Sequence, residues 1–144
     1  MTESAVMRDP ERGIRLLGEL RSLGLKLSVD DFGTGYSSLS YLKQFPITTL
    51  KVDRSFVTEL PGADDAATIV RAILAMGHAL GLNIVAEGIE TALQATFLRD
   101  AGANILQGYR FAKPMPAEDF RRLLAEGREF GNDIPPRMLH LVNG

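Results

Sequence analysis

Cysteine is absent from this 144-residue chain, and histidine occurs only twice. A chain without cysteine forms neither disulfide bonds nor thiolate metal sites, which fits a reducing cytoplasm. An excess of one charge is also missing, since 16 basic and 18 acidic residues leave a formal net charge of -2. This balance gives no sign of a basic nucleic-acid tail, so we expect no DNA partner.

Long apolar segments are missing as well. No run approaches the roughly 20 apolar residues that a membrane-spanning helix needs. Residues 1–4 lack the basic and apolar regions of a signal peptide. We therefore expect a cytoplasmic chain without a membrane span, which is compatible with its being one part of a larger, membrane-anchored protein.

The sequence does contain enough apolar residues, 45%, for the core of one domain. Asp9 and Pro10 are typical of a helix start, Gly24 of a helix end, and Thr91 with Gln94 of a capping box. The apolar spacing predicts helices over 10–23, 37–42, 64–80, 92–101 and 116–126, and strands over 25–29, 47–52, 82–86 and 103–106.

Each gap between predicted strands is long enough for a crossover connection, which indicates parallel strands with helices packed outside. The sequence therefore predicts an α/β fold of four βα units. An open doubly wound sheet and part of a (β/α) barrel both fit this order of elements. The glycine and the proline pair in residues 127–144 favour an extended C-terminal tail.

Polar residues stand where each predicted strand ends. The carboxyl ends of parallel strands lie at one rim, where ligands bind in such folds. The alternative is that each residue is polar only because the strand emerges from the core at that point. This explanation suffices for one position, but it does not account well for all four together. The rim residues are Asp30 and Asp31, Lys51 and Asp53, Glu87, and Gln107.

The adjacent carboxylates Asp30 and Asp31 are suited to Mg²⁺ or Mn²⁺, which take oxygen ligands. One of them could also cap the following turn. Lys51 is suited to holding phosphate oxygens or orienting a water, and its alternative is a structural ion pair with Asp53 or Asp31. Glu90 follows Glu87 by one helical turn and could instead serve only the start of the next helix.

Four motifs follow one another along the chain: Asp30-Asp31-Phe32-Gly33-Thr34-Gly35, Leu50-Lys51-Val52-Asp53, Glu87-Gly88-Ile89-Glu90 and Gln107-Gly108-Tyr109. In this order they resemble those of EAL-type cyclic-di-GMP phosphodiesterase domains. The resemblance covers the C-terminal half of that domain and runs over residues 1–126. It implies half of a (β/α)₈ barrel from a family that hydrolyses cyclic di-GMP to the linear dinucleotide with Mg²⁺ or Mn²⁺.

The resemblance also implies a role for each site residue. Asp30 and Asp31 would be metal ligands, Lys51 would contact the attacking water or the phosphate, and Glu87 would be a ligand or general base. Glu90 and Gln107 would line the nucleotide site. In addition, Glu3 would steady the loop of the aspartate pair.

Part of the family pattern is missing from this sequence. It contains no Glu-Ala-Leu motif, and the family's asparagine ligand and the first glutamate of its Glu-x-Thr-Glu segment are also absent. We therefore expect little or no activity from the isolated chain. A non-catalytic module that binds cyclic di-GMP or a protein is the alternative, while a receiver-like domain would leave Glu87 and Gln107 unexplained. Open strand edges and an apolar interior also predict self-association.

Overall fold

A computed structural model describes residues 9–32 and 42–127, except for the side chain of Asp31. Four strands alternate with helices along the chain, as the sequence predicts. The strands are β1 (Ser28–Phe32), β2 (Thr49–Val52), β3 (Asn83–Ala86) and β4 (Ile105–Leu106). The helices are α1 (Pro10–Ser22), α2 (Arg54–Thr58), α3 (Asp64–Ala79), α4 (Ala92–Asp100) and α5 (Ala117–Ala125).

The strands form one parallel sheet in the order β1-β2-β3-β4. This confirms the predicted α/β fold of parallel βα units. A sheet with sequential parallel order is what a (β/α) barrel requires, whereas a doubly wound sheet reverses direction at a switch point. The order therefore favours part of a barrel over the open alternative.

Local signals in the sequence set several helix ends. The Asp9 carboxylate accepts a hydrogen bond from the Arg12 amide at 3.1 Å, with Pro10 as the first residue of α1. The capping box at the start of α4 is present: the Gln94 amide donates to the Thr91 hydroxyl at 3.2 Å, and the Gln94 side chain accepts from the Thr91 amide at 3.0 Å. These bonds satisfy amides that have no partner within the helix.

Two differences from the sequence expectation bear on the site. β1 begins at Ser28, not at residue 25, and extends through both aspartates. Helix α2 was not expected, and the Asp53 carboxylate is its N-cap, accepting from the Ser55 amide at 2.9 Å. The helix predicted over 37–42 lies, apart from its last residue, outside the described residues.

The hydrophobic core lies between one face of the sheet and the helices. Leu50 and Ile84, neighbours on β2 and β3, are fully buried on this face. Gly77 of α3 packs so closely against them that an added Cβ would come within 2.9 Å of the Ile84 Cδ1 atom. The helix therefore lies close against the sheet, and a larger residue at position 77 would require the Ile84 side chain to shift.

The opposite face of the sheet is more polar than expected. Side chains alternate between the two faces of a strand, so Thr49, Lys51 and Asn83 share the second face with Val85. Val85 is buried there but stands apart from the main core cluster. The apolar interior predicted for this side is thus limited, because most large apolar strand residues point toward the helices.

Candidate functional site

Lys51 lies at the centre of a charged cluster formed by three adjacent strands. Its Nζ atom is 2.9 Å from the Asp30 Oδ1 atom on β1 and 2.5 Å from the Oε1 atom of Glu87, which follows β3. All three side chains are partly buried, with Glu87 the least exposed of them at 19%. The parallel order brings the three strand ends together. Asp30 and Glu87, which are 57 positions apart in the sequence, therefore both contact Lys51.

The surroundings of Lys51 keep it protonated. Burial, the largest single influence, lowers the pKa of this ammonium group. Hydrogen bonds and charge from Glu87 and Asp30 act in the other direction and together raise the pKa above its usual 10.5. The cluster therefore presents a cation between two carboxylates, those of Asp30 and Glu87. Of the two ion pairs that the sequence left open, the structure does not form the one with Asp53, and the one with Asp31 lies outside the described side chains.

A bulge in β1 lies at the aspartate pair. Val29 pairs with Leu50 and Phe32 with Val52, so β1 has two residues, Asp30 and Asp31, where β2 has only Lys51. The extra residue lets Val29 and Phe32 both face the core, which strict alternation would forbid at this spacing. Bulges of this kind are common beside active sites, where they redirect a side chain.

The side chains of two further predicted residues lie outside the described part of the structure. Asp31 is described only through its backbone in β1, and Glu3 precedes the described residues. Both stay predictions. His78, which the sequence placed in a helix and away from the rim, lies in α3 with its Nε2 atom 2.8 Å from the Gly102 carbonyl oxygen, just after α4.

Glu90 is held by a residue that the sequence did not single out. The Arg54 guanidinium donates to the Glu90 carboxylate at 2.6 Å, and both side chains are exposed. The stem of Arg54 also covers Gly88, where a Cβ would lie only 2.3 Å from the Arg54 Cγ atom. Gly88 has φ +71°, a conformation suited to glycine. Arg54, in the segment that follows β2, thus holds Gly88 and Glu90 of the loop that follows β3 in place.

The loops after β3 and β4 are joined through Ile89. Its amide donates to the Gln107 carbonyl at 3.1 Å, and its carbonyl accepts from the Arg110 amide at 2.9 Å. The Gln107 side chain is exposed and lines an open cleft of about 480 Å³. Tyr109 and Lys113 also line this cleft, with the Lys113 ammonium 5.9 Å from the centre of the Tyr109 ring.

The geometry therefore unites Asp30, Lys51 and Glu87 in direct contact and leaves Glu90 and Gln107 on neighbouring loops. Carboxylates are the donors that Mg²⁺ and Mn²⁺ prefer, so Asp30 and Glu87 have suitable chemistry. Within residues 9–32 and 42–127, however, no three acidic or histidine side chains form a metal-binding group. Asp31, whose side chain is not described, is the adjacent candidate for a third ligand.

Comparison with known proteins identifies the family. The model of the EAL domain matches residues 1–114. The chain belongs to the EAL domain family. The bifunctional diguanylate cyclase/cyclic di-GMP phosphodiesterase MucR of Pseudomonas aeruginosa is 52% identical over 118 residues, which are 82% of this chain and 17% of MucR. The cyclic di-GMP phosphodiesterase NbdA of the same species is 48% identical over 125 residues, 85% of this chain and 16% of NbdA.

Solved structures of EAL domains share the fold. The MucR phosphodiesterase in complex with c-di-GMP superposes with a TM-score of 0.81 at 51% identity, over 83% of this chain and 49% of that one. A manganese and cyclic-di-GMP complex of Klebsiella pneumoniae BlrP1 gives a TM-score of 0.72 at 35% identity, over 78% of this chain and 29% of that one. The chain thus spans about half the length of the solved MucR domain and less than a fifth of full-length MucR.

No helix among the described residues is long and apolar enough to cross a membrane.

Proposed function

We propose that this chain supplies the second half of the active site of a metal-dependent cyclic-di-GMP phosphodiesterase. The observation that supports this most directly is the Lys51 ammonium between Asp30 and Glu87, at the ends of three parallel strands. A fixed cation next to carboxylates suits a phosphodiester substrate, because it can hold an anionic oxygen while the carboxylates bind metal or accept a proton. Membership of the EAL family supports the same reaction.

Each residue has a proposed role at this site. Lys51 holds a phosphate oxygen or the attacking water, and the strand ends keep its position fixed. Asp30 and Asp31 are the proposed metal ligands. Glu87, the least exposed member of the cluster, is a further ligand or the general base.

The nucleotide is proposed to lie along the neighbouring loops. Glu90, held by Arg54, and Gln107, in the cleft beyond β4, are placed to line it. Glu3 is proposed to steady the loop after the aspartate pair. Bound Mg²⁺ or Mn²⁺ would supply Lewis-acid activation of a water molecule.

The 144-residue chain by itself is proposed to be a very poor catalyst. Asp30 and Glu87 are both engaged by Lys51, and the described residues hold no three-ligand group. Removing one electrostatic stabiliser of a transition state typically costs about 10²–10³ in rate. We expect turnover of cyclic di-GMP at least about a thousandfold slower than by a complete domain.

The test compares the purified chain with a version extended upstream by a half-barrel that carries Glu-Ala-Leu, both in Mg²⁺. In the extended version, Lys51→Met should abolish most turnover, whereas the matched change His78→Gln, on the outer helix α3, should not. Normal turnover by the unextended chain would contradict the proposed incompleteness. An extended version that is inactive, or unaffected by Lys51→Met, would contradict the proposed role of the site.

A non-catalytic binding module is the second candidate, and the ion pairs of Lys51 with both Asp30 and Glu87 favour it, because each carboxylate already has a cation as its partner. In this case Lys51 and the cleft at Gln107 would bind the dinucleotide without metal. Calorimetric titration of cyclic di-GMP in the presence of a chelator distinguishes the two. Unchanged affinity after metal removal supports the binding module, and affinity that requires Mg²⁺ supports the catalytic half-site.

A further inference from the structure

We propose that Gln94 and Arg54 are positioning residues, which together fix Glu90 to the short helix α2. Gln94 holds the backbone of Glu90, and Arg54 holds its carboxylate. Glu90 lines the nucleotide in the proposed function, on which this inference rests. The inference assigns a part in nucleotide binding to a residue, Gln94, that is itself buried.

Gln94 is the only buried polar residue in the part of the chain that the structure describes, with an exposed fraction of 5%. A buried amide group needs hydrogen-bond partners for both its oxygen and its nitrogen. The Gln94 Oε1 atom accepts from the Glu90 amide at 2.9 Å and from the Thr91 amide at 3.0 Å. The Nε2 atom donates to the Val57 carbonyl at 3.1 Å. A reversed side-chain amide would point its NH₂ group at two N–H donors, so these partners set its orientation.

Capping of α4 accounts for only one of these three bonds. A capping box needs the side chain at the third helical position to accept from the N-cap amide, here that of Thr91. A glutamate at position 94 could do this equally well, but it would offer no donor to the Val57 carbonyl. The bond between Gln94 and Val57, 37 positions apart, therefore joins α4 and the loop before it to α2.

Helix α2 thus holds Glu90 at two points. Through Val57 it binds Gln94, which in turn accepts from the Glu90 amide. Through Arg54, one helical turn before Val57, it donates to the Glu90 Oε1 atom at 2.6 Å. The helix begins only three residues after Lys51. The position of Glu90 is therefore fixed relative to the end of β2, where Lys51 lies.

The ion pair between Arg54 and Glu90 contributes position more than stability. The two side chains are 60% and 48% exposed, and exposed ion pairs add little to the free energy of unfolding. A carboxylate that is held in place before the ligand arrives does not have to be ordered on binding. Because Arg54 contacts the Oε1 atom, the Oε2 atom can accept a hydrogen bond from the nucleotide.

Amide hydrogen exchange in the ligand-free 144-residue chain tests the contact at Gln94 without any assay of activity. Gln94→Met removes all three side-chain bonds and should speed exchange of the Glu90 amide about tenfold. The matched control is Thr91→Ala, which removes the hydroxyl of the same capping box and leaves the Gln94 side chain with its partners. It should lower the melting temperature but leave exchange at Glu90 almost unchanged. Equal exchange in wild type and Gln94→Met would overturn the proposal.

Steady-state kinetics of the version extended by an upstream half-barrel tests the effect on binding. Gln94→Met and Arg54→Met should each raise KM for cyclic di-GMP about tenfold and leave kcat nearly unchanged, since they loosen a binding group. Arg54→Lys, which keeps the cation, should restore part of the affinity. The matched control is Arg122→Met on α5, because Arg122 is also ion-paired and is 66% exposed. This control should leave KM unchanged.

A double-substitution experiment shows whether the effects act through Glu90. In a Glu90→Ala background, Gln94→Met and Arg54→Met should raise KM no further, because their common target is gone. Effects that add to that of Glu90→Ala would overturn the positioning role. Arg54 is exposed, so its variants carry this test even if Gln94→Met fails to fold.

The outcomes separate the positioning role from the proposed function. If Glu90→Ala raises KM but Gln94→Met and Arg54→Met do not, the positioning role is wrong and the proposed function stands. If Glu90→Ala leaves KM unchanged, both the lining role of Glu90 and the positioning role are wrong. An inactive extended version would contradict the proposed catalysis, and the Kd of cyclic di-GMP from calorimetry would then replace KM in the same comparison.

Discussion

Replacing Gly108 by alanine should disrupt the loops that follow β3 and β4 before it affects the hydrophobic core. An ideal Cβ at this position would lie 2.1 Å from the Ile89 carbonyl oxygen and 2.3 Å from the Ile89 nitrogen. Both contacts are with backbone atoms, which cannot turn aside as the tip of a flexible side chain can. The loops after β3 and β4 must therefore separate to admit the methyl group.

The size of the effect follows from the bonds between these loops. Ile89 donates to Gln107 at 3.1 Å and accepts from Arg110 at 2.9 Å, and each such bond contributes about 1 kcal/mol. Overpacking adds about 1–3 kcal/mol. We expect the free energy of unfolding to fall by about 3 kcal/mol, and the melting temperature by about 10 °C for a chain of this size.

Thermal unfolding at a fixed protein concentration measures this difference, and amide hydrogen exchange at Ile89 and Arg110 locates it. The matched control is Gly18→Ala in α1, where an added Cβ meets no atom within 4 Å. Since alanine favours helix over glycine by about 0.5–1 kcal/mol, this control should melt slightly higher than wild type. Equal melting temperatures for Gly108→Ala and wild type would show that the two loops do not pack as described.

Three further predictions concern single side chains. Asp30→Asn should weaken the binding of Mg²⁺ or Mn²⁺ in a metal titration, whereas His78→Gln should not, and equal effects would place the site elsewhere. Asp53→Ala removes the N-cap of α2 and should lower the free energy of unfolding by about 1 kcal/mol in urea titrations; no change would show that the cap is dispensable. Hydrogen bonds from Ser55 lower the pKa of Asp53 below 3.8, so its contribution is complete above pH 3.8 and is lost as the pH falls. The stability difference between wild type and Asp53→Ala should therefore shrink in acid, and a constant difference would contradict the charged cap.

Much of the fold could be predicted because its signals are local. The Asp9 and Thr91 caps depend on residues three positions apart, and glycines with positive φ follow α1 and α3 at Gly24 and Gly81. The exact start of β1 and the short helix α2 could not be predicted. A five-residue helix has no clear periodicity, and the strand at 28–32 is defined by pairing with β2 and not by its own composition.

The sequence by itself determined which residues stand at the strand ends. The residue types, their order and the lengths of the connections between strands can all be read directly from the sequence. Only the tertiary structure decided which of them touch. Lys51 binds Asp30 and Glu87, and not Asp53, because strand register and a bulge in β1 set distances that spacing along the chain does not encode. Arg54 likewise meets Glu90 across 36 residues. Contacts between separate strands depend on how the core packs beneath them, and this packing is a property of the whole fold.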